Sequence, residues 1–441
     1  MKKTVILMPI LLLLAVVSLT ASADEWKISE FMIYGSWPWD RSGKASDDAR
    51  AKTLAEADFT CVLAEEEQLD TLEKNGLKGF VEHVPPEEVG RIKNHPALYG
   101  YYIMDEPLHN FPALKKICDA YYEADPTKPG FINLISLGGE YLDSYMSTVR
   151  PSILSYDYYQ YWWGKEGHFT KLEAYSKAAD EAGVPWFLYT EVNSSPYGTF
   201  GGPKNIRPPD NEPRIRQSVF TALAYGLKGV LWFTAGRMFD PGSAELNDCG
   251  KDVAAVNADL KELGKVLVNL RHVDTYHTAP LPRDVEEVPA DYWLQPYSYI
   301  SYGVCMGAFK DDDDLDYVFL ANKNYDIEMR VALEIARKVP VEAVHRLDKK
   351  TGAWIEVPVT EMVSEENRKN FSWAYDMHMY SSRTGGNTIT YKDVRDKFHI
   401  PIEGRQFVEI DIDRADGELL RITRDMSFET IRQQKAPGEK F

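Results

Sequence analysis

The sequence predicts an α/β protein, a (β/α)8 TIM barrel followed by a smaller C-terminal antiparallel β-sandwich domain. Eight short apolar runs alternate with amphipathic runs between about residues 30 and 240, which favours the barrel. Polar or acidic residues follow most of these apolar runs. From about residue 297 the hydrophobic period becomes that of short strands separated by turns, which favours the sandwich.

Apolar runs bounded by turn signals are typical of strands buried on both faces, as in a parallel sheet covered by helices. An open doubly wound sheet is the alternative, but it usually has fewer strands and a glycine-rich phosphate turn, which this chain lacks. The predicted barrel strands are Phe31–Trp37, Phe59–Ala64, Leu77–His83, Leu98–Met104, Phe131–Ile135, Ile153–Tyr159, Trp186–Val192 and Val230–Ala235. The predicted helices between them include Ala45–Asp58, Glu67–Asn75, Ala113–Ala124, Thr170–Ala182 and Arg214–Gly226.

The helical run Val253–Leu270 is expected to finish the barrel, and the predicted domains are 24–295 for the barrel and 296–425 for the sandwich, with a tail at 426–441. Residues 361–397 form an insert without a clear period. Asp311–Asp314 resembles a calcium loop, but it lacks the ligand spacing of an EF-hand, so we expect a hairpin tip. The predicted sandwich strands are Tyr299–Phe309, Tyr317–Asn322, Met329–Ile335, Glu342–Leu347, Trp354–Val357, Phe398–Ile402, Phe407–Ile412 and Leu419–Ile422.

The first 23 residues have the pattern of a secretory signal peptide. Lys2 and Lys3 precede an apolar stretch, and small residues ending at Ala23 supply a cleavage site. The apolar stretch is shorter than a membrane span, and no later stretch approaches the roughly 18 apolar residues that a span requires. We therefore expect an exported protein, periplasmic or extracellular, that is cleaved near Ala23.

Composition excludes several functions. A net charge of −18 repels nucleic acid and anionic membranes, and argues against a polyanionic substrate. The 26 Tyr, 18 Phe and 10 Trp residues suit a site for sugar rings, although protein cores use the same residues. The four cysteines have no metal-ligand spacing and are expected to be buried free thiols. We expect no cofactor and no metal; the sequence does not indicate the oligomeric state.

The segment HPALYGYYIMDEP, residues 95–107, is the most informative motif of the chain. Its apolar run ends in Asp105 and Glu106, and Pro107 stops strand pairing because it has no amide hydrogen to donate. The C-terminal rim of a (β/α)8 barrel is its catalytic face, so two acids at this position favour a role in chemistry. The alternative is that they cap the following helix or bind loop amides.

The residues that follow the other predicted strands are carboxylates, an amide and aromatics, which is the inventory of a carbohydrate site. A histidine among them is more often a hydrogen-bonding support than a catalytic base. The set that we expect to bind substrate is Trp37, Glu82, His83, Asp105, Asn133, Asp157, Tyr158, Asn193 and Trp232.

Three motifs resemble clan A of the glycoside hydrolases, which are retaining (β/α)8 enzymes: HPALYGYYIMDEP at the fourth strand, YTEV at the seventh and LWF at the eighth. The resemblance covers roughly residues 30–240. It implies that Glu106 is the acid/base, that Glu191 is the nucleophile and that Trp232 floors the site of the cleaved sugar. Asp105 departs from the asparagine that most clan members have before the acid/base, and an ionised aspartate only accepts hydrogen bonds.

We therefore expect an exported retaining glycoside hydrolase that cleaves a neutral, β-linked oligo- or polysaccharide with two glutamates. One carboxyl would hold a proton near neutral pH and the other would be ionised, with about 5–5.5 Å between them. Two alternatives stay open. One is a carbohydrate-binding protein without catalysis, and the other is a hydrolase of a non-sugar bond, for which the sequence offers only acids as nucleophiles.

Overall fold

The structure, a computed structural model, describes residues 26–163, 167–195, 207–296, 301, 303–336, 341–361 and 406–424. Four of the sequence predictions lie outside these ranges. They are the signal peptide with its cleavage near Ala23, the insert beyond residue 361, the strand Phe398–Ile402 and the tail at 426–441.

Eight parallel strands close into a barrel in chain order, with the eighth strand paired to the first. All eight predicted barrel strands are confirmed, and their ends differ from the predictions by at most three residues. The strands are β1 (Met32–Gly35), β2 (Cys61–Ala64), β3 (Lys78–Val81), β4 (Leu98–Asp105), β5 (Gly130–Ile135), β6 (Leu154–Asp157), β7 (Trp186–Glu191) and β8 (Gly229–Phe233).

Helices connect the barrel strands, and none of those that the structure describes is long and apolar enough to cross a membrane. Side chains cap two of them: Ser46 accepts from the amide of Ala49, and Asn247 accepts from that of Gly250. The helices are α1 (Asp47–Glu56), α2 (Leu69–Lys74), α3 (Phe111–Ala124), α4 (Glu140–Val149), α5 (Gln160–Trp163), α6 (His168–Ala182), α7 (Asn211–Ala224) and α8 (Asp248–Leu267).

Aromatic rings fill the interior of the barrel. Tyr34 of β1 contacts Phe131 of β5, on the opposite side of the barrel, with 6.1 Å between ring centroids. Phe80 lies 4.8 Å from Phe131, and Tyr189 lies 5.9 Å from Tyr34. The residues between these positions, such as Leu188, pack outward against the helices. This alternation decides which side chain at each strand end faces the barrel mouth.

Two antiparallel sheets form the C-terminal sandwich, as predicted. Their order is β15-β14-β18-β12-β11-β9 in one sheet and β10-β13-β17-β16 in the other. Aliphatic residues from both sheets, among them Leu320, Leu333, Ile410 and Leu420, form the core between them. The strands are β9 (Arg271–His277), β10 (Leu294–Pro296), β11 (Val304–Lys310), β12 (Asp316–Asn322), β13 (Met329–Ile335), β14 (Val341–Leu347), β15 (Trp354–Val357), β16 (Val359–Thr360), β17 (Gln406–Ile412) and β18 (Gly417–Arg424).

Two strands of the sandwich precede residue 296, where we expected that domain to begin. Strand β9 pairs with β11, and β10 pairs with β13. Both are edge strands, and polar residues interrupt β9, so the sequence shows no strong strand pattern there. We propose a domain boundary near residue 270, directly after α8.

Two further sequence features are the acidic run Asp311–Asp314 and the four cysteines. Asp311 accepts amide hydrogen bonds from Asp313 and Leu315, so the acidic run is the tip of the hairpin between β11 and β12. All four cysteines are free thiols, three of them buried and Cys118 half-buried.

The sandwich packs against α7 of the barrel. Phe220 of α7 and Phe319 of β12 have ring centroids 6.2 Å apart. Arg216 of α7, whose side chain is only 11% exposed, lies 2.6 Å from Asp259 of α8 and 3.4 Å from Asp416 of the sandwich. Charged side chains of this junction also line a cavity of about 840 Å³. Helix α7 is therefore shared by both domains.

The packing of β11 on α7 predicts the effect of one substitution. A Cβ atom added at Gly307 would clash with the backbone carbonyl of Ala224, which cannot move without displacing α7. We expect Gly307→Ala to lower the free energy of unfolding by about 1–3 kcal/mol, the usual cost of overpacking. Gly90→Ala is the control, because a Cβ there meets no atom within 4 Å. Equal melting temperatures for the two variants would contradict the prediction.

Candidate active site at the barrel mouth

The C-terminal ends of the barrel strands bring most of the predicted site residues to one rim. Because all eight strands are parallel, the residues that end or follow them meet at the same face. Acidic and amide side chains dominate this face. They are Glu65 after β2, Glu82 after β3, Asp105 and Glu106 at β4, Asn133 of β5, Asp157 of β6 and Glu191 of β7.

Asn133 organises the end of β4. Its side-chain amide donates to Asp105 at 3.1 Å, and its backbone carbonyl accepts from the amide of Glu106 at 2.8 Å. The hydroxyl of Ser155 donates to the Asn133 side-chain oxygen, which sets the direction of the amide group. Glu106 has a φ of +44°, a left-handed conformation that turns the chain sharply after the strand. Both Asp105 and Glu106 are exposed to solvent.

Asp157 holds a proton near neutral pH. Its side chain lies at the inner end of β6 and the residue is only 2% exposed. The pKa of Asp157 is raised to about 8, chiefly by burial and then by the charge of the adjacent Glu106 and hydrogen bonding between the two carboxyls. The charge of Asp105 acts in the same direction. The buried carboxyl of Asp157 therefore favours its protonated form beside Glu106.

Glu191 is the second carboxyl with a raised pKa. The residue has no exposed surface, and burial raises its pKa to about 7. Two hydrogen bonds oppose this effect because they stabilise the carboxylate. The backbone amide of Tyr161 donates to Oε1 at 3.0 Å, and the hydroxyl of Thr190 donates to Oε2 at 2.9 Å. These bonds fix both carboxylate oxygens.

The charges of three acids of the rim act on Tyr159. Burial and then the charges of Asp157, Asp105 and Glu191, together with the neighbouring Tyr189, raise the pKa of Tyr159 well above its ordinary value. The Tyr159 side chain is therefore within electrostatic reach of the carboxyls from β4, β6 and β7. Glu106 is linked to this group through Asp157, whose pKa it raises, and Glu191 acts on the same tyrosine as Asp157.

An aromatic wall borders this group, but Trp232 is not part of it. Phe233 contacts Trp37, Tyr159 and Trp162, with ring centroids 5.9, 5.2 and 6.1 Å apart. Trp232 has no exposed surface and donates to Asn257 of α8 at 2.9 Å. The prediction that Trp232 floors the site is wrong, because strand alternation directs it outward and its neighbour Phe233 inward.

Two further predicted substrate-binding residues support the scaffold instead. Tyr158 is buried on the outer side of β6, beside His168 of α6. Asn193 accepts from the amide of Ser195 through its side chain and from the indole of Trp162 through its carbonyl. Asn193 therefore shapes the loop after β7. Sequence reasoning missed Phe233. Its position two residues after Leu231 places both side chains on the same face of β8, and this spacing can be read from the sequence.

Glu82 and His83 lie in a separate group with Glu65. The ligand atoms of these three side chains lie within 4.8 Å of one another, so they could hold a metal ion. Glu65 accepts from His83 at 3.0 Å, which raises the pKa of the histidine. This ion pair accounts for the arrangement of two of the three side chains without a metal.

Comparison with known proteins adds only fold-level likeness. No protein-family model matches the chain, and no curated protein matches its sequence. The structure is similar to that of a family 27 β-L-arabinopyranosidase from Geobacillus stearothermophilus, at 10% identity over 89% of this chain and 97% of that one, with a TM-score of 0.45. It is also similar to a family 128 endo-β-1,3-glucanase from Amycolatopsis mediterranei, at 13% identity over 51% of this chain and 99% of that one, with a TM-score of 0.37. These values assign no family, so we base the function on the barrel mouth.

The raised pKa of Asp157 predicts a pH-dependent stability. Asp157 titrates near 3.8 when unfolded and near 8 when folded, so the folded chain binds the proton more tightly. Its contribution to stability is therefore present at low pH and falls as the pH rises between these two values. We expect Asp157→Asn, which cannot ionise, to gain at least about 1 kcal/mol over the wild type between pH 5 and 9.

Thermal unfolding at several pH values measures this difference. The control is Asp119→Asn, which changes an exposed carboxyl on the outer helix α3 that pairs with Lys115. Its difference from the wild type should stay nearly constant with pH. A difference between Asp157→Asn and the wild type that does not grow with pH would contradict a protonated Asp157.

Proposed function

We propose that this protein is a retaining glycoside hydrolase that cleaves a neutral oligo- or polysaccharide, with Glu106 as the acid/base and Glu191 as the nucleophile. One observation supports it above the others. Two buried carboxyls of one barrel rim, those of Asp157 beside Glu106 and of Glu191, have raised pKa values, and the charges of both act on Tyr159. Hydrolysis of a glycosidic bond requires one carboxyl that gives a proton and another that attacks or activates water.

Asp157 assists Glu106 in this mechanism. Asp157 holds its proton up to about pH 8, and Glu106 beside it is exposed to solvent. The proton can reach a glycosidic oxygen through Glu106, while buried Asp157 stabilises Glu106 by hydrogen bonding. After the first step the same glutamate accepts a proton from the attacking water.

Glu191 fits the nucleophile by its position at the end of β7 and its fixed orientation. Hydrogen bonds from Tyr161 and Thr190 hold both carboxylate oxygens, which reduces the reorganisation needed before attack. Asp105 is the competing assignment, because it is exposed and lies beside Glu106 whereas Glu191 is buried. The retaining mechanism requires about 5–5.5 Å between the acid/base and nucleophile carboxyls.

The charge and the aromatic side chains of the barrel mouth favour a neutral sugar as the substrate. Its carboxyls repel uronic acids and other anionic rings. Trp37, Trp162 and Phe233 offer aromatic surface to the apolar face of a pyranose. A polymeric substrate outside the cell agrees with the signal peptide that the sequence predicts, so we also propose that the enzyme is exported.

The burial of Glu191 favours a second candidate, a carbohydrate-binding protein without catalysis. A nucleophile must reach the anomeric carbon, and Glu191 has no exposed surface in this structure. The binding protein would use the same aromatic wall, but its affinity would tolerate the loss of Glu191.

Rates on 4-nitrophenyl glycosides of both anomeric series and on polysaccharides test the assignment. Glu191→Ala should abolish turnover of every substrate, because no group remains to form the glycosyl-enzyme. Glu106→Ala should lose about 10²–10⁴-fold on natural sugars and much less in the first step on nitrophenyl leaving groups. Added azide should partly restore Glu106→Ala on the activated substrates. Glu56→Gln is the control, because Glu56 is an exposed acid that pairs with Lys52 at the end of α1, which leads to the opposite, N-terminal end of β2.

Each result separates the candidates. Loss of turnover in Asp105→Asn together with wild-type rates in Glu191→Ala would move the nucleophile to Asp105. Products with inverted anomeric configuration, measured by NMR during turnover, would contradict retention. Tight oligosaccharide binding by a wild type that turns over none of the panel would replace the enzyme by the binding protein.

The two raised pKa values predict a narrow pH optimum. Activity should rise with pH as Glu191 ionises near 7, and should fall as Asp157, which would supply the proton to Glu106, ionises near 8. The plot of kcat/KM against pH should therefore be a bell with its maximum between these values. Asp157→Asn should move the alkaline limb to lower pH, since residue 157 no longer supplies the proton. A broad optimum centred near pH 5 would contradict both assignments.

A further inference from the structure

The loop between β12 and β13 of the sandwich reaches the barrel mouth. The ring of Tyr325 in this loop lies 6.0 Å from that of Tyr161 in α5, at an angle of 79°. The guanidinium of Arg214 in α7 lies 5.4 Å from the Tyr161 ring centre and 5.3 Å from that of Tyr325. A cation shared by two rings stabilises both contacts.

Helix α7 holds the same loop by its backbone. The side-chain amide of Gln217 donates to the carbonyl of Lys323, at the start of the loop. The hydroxyl of Tyr161 donates to the side-chain oxygen of Gln217 at 2.6 Å. A single glutamine of α7 thus binds the sandwich loop on one side and Tyr161 on the other.

Tyr161 in turn holds a carboxylate of the proposed active site. Its backbone amide donates to Oε1 of Glu191 at 3.0 Å. The neighbouring Gln160 is anchored to Ser218 of α7, and Trp162 donates to the carbonyl of Asn193. Because α5 is only four residues long, its position depends on these side-chain contacts rather than on its own backbone.

We propose that Tyr325 and Tyr161 are positioning residues, through which the sandwich domain holds Glu191 in its catalytic orientation. Tyr325 packs on Tyr161, and the Tyr161 amide fixes one oxygen of Glu191. The sandwich then completes the active site without contacting the substrate. This inference rests on the proposed role of Glu191, and the measurements below distinguish the failure of one from the failure of the other.

Hydrogen–deuterium exchange tests the contact without requiring any activity. We expect Tyr325→Ala to speed exchange of the Tyr161 amide by about tenfold or more, because its segment loses support. Tyr325→Phe should leave the exchange rate unchanged, since the ring is retained. Tyr317→Ala is the matched control, because Tyr317 is an aromatic residue of β12, the strand before this loop, and it contacts Trp354 instead. Unchanged exchange in Tyr325→Ala would overturn the proposal.

Steady-state kinetics test the effect of this contact on catalysis. The substrate is a 4-nitrophenyl glycoside that the wild type turns over. Tyr325→Ala should lower kcat by about 10- to 100-fold, the cost of misplacing a reacting group, while KM changes little. The acid limb of the pH profile of Tyr325→Ala should move to higher pH, because the Glu191 carboxylate loses a hydrogen-bond donor. Tyr325→Phe should restore the wild-type kcat and the wild-type pH profile. The control Tyr317→Ala should show neither change.

The outcomes are separable. If Glu191→Ala is inactive and Tyr325→Ala keeps the wild-type kcat and pH profile, the positioning role is wrong and the proposed function stands. If Glu191→Ala keeps wild-type rates, the proposed nucleophile is wrong. If no glycoside is turned over, the exchange measurement still decides whether Tyr325 holds Tyr161.

Discussion

Alternation of side chains along eight closed strands is the constraint on which the rest of the structure depends. Each strand can direct only every second residue into the barrel, and the interior is already filled by rings such as Tyr34, Phe80 and Phe131. Burying such side chains contributes about 1.5–3 kcal/mol each. A shift of one residue in β8 would turn Phe233 away from the mouth and bring Trp232 into it. The packing of the interior therefore also determines which side chains lie at the rim.

Two carboxyls of the rim, those of Asp157 and Glu191, are buried, and the structure stabilises them in two ways. Asp157 remains protonated beside Glu106, which avoids a second buried charge. Glu191 receives hydrogen bonds on both oxygens, which favour its ionised form although burial opposes it. Different surroundings thus give acids of the same chemistry different protonation states, as a proton donor and a nucleophile require.

Helix α7 connects this chemistry to the second domain. Its apolar face lies between the barrel and the sandwich, and Arg216 pairs with acids from both domains. Its polar residues Arg214 and Gln217 meet the sandwich loop and Tyr161 at the mouth. A helix that belongs to both cores cannot shift in one domain without moving in the other. Stability and activity are therefore expected to be linked through this element.

The sequence by itself determined the architecture and the list of candidate site residues. Apolar runs and helical periods located all eight barrel strands, and the acids at 105, 106, 157 and 191 were recognisable because they follow those runs. It did not reveal β9, whose polar residues are tolerated only at a sheet edge. The tertiary structure alone decided that Trp232 packs against α8, that buried Asp157 lies beside Glu106 and that the Tyr161 amide binds Glu191. Each of these depends on side chains from different strands or helices meeting in space, which no local pattern encodes.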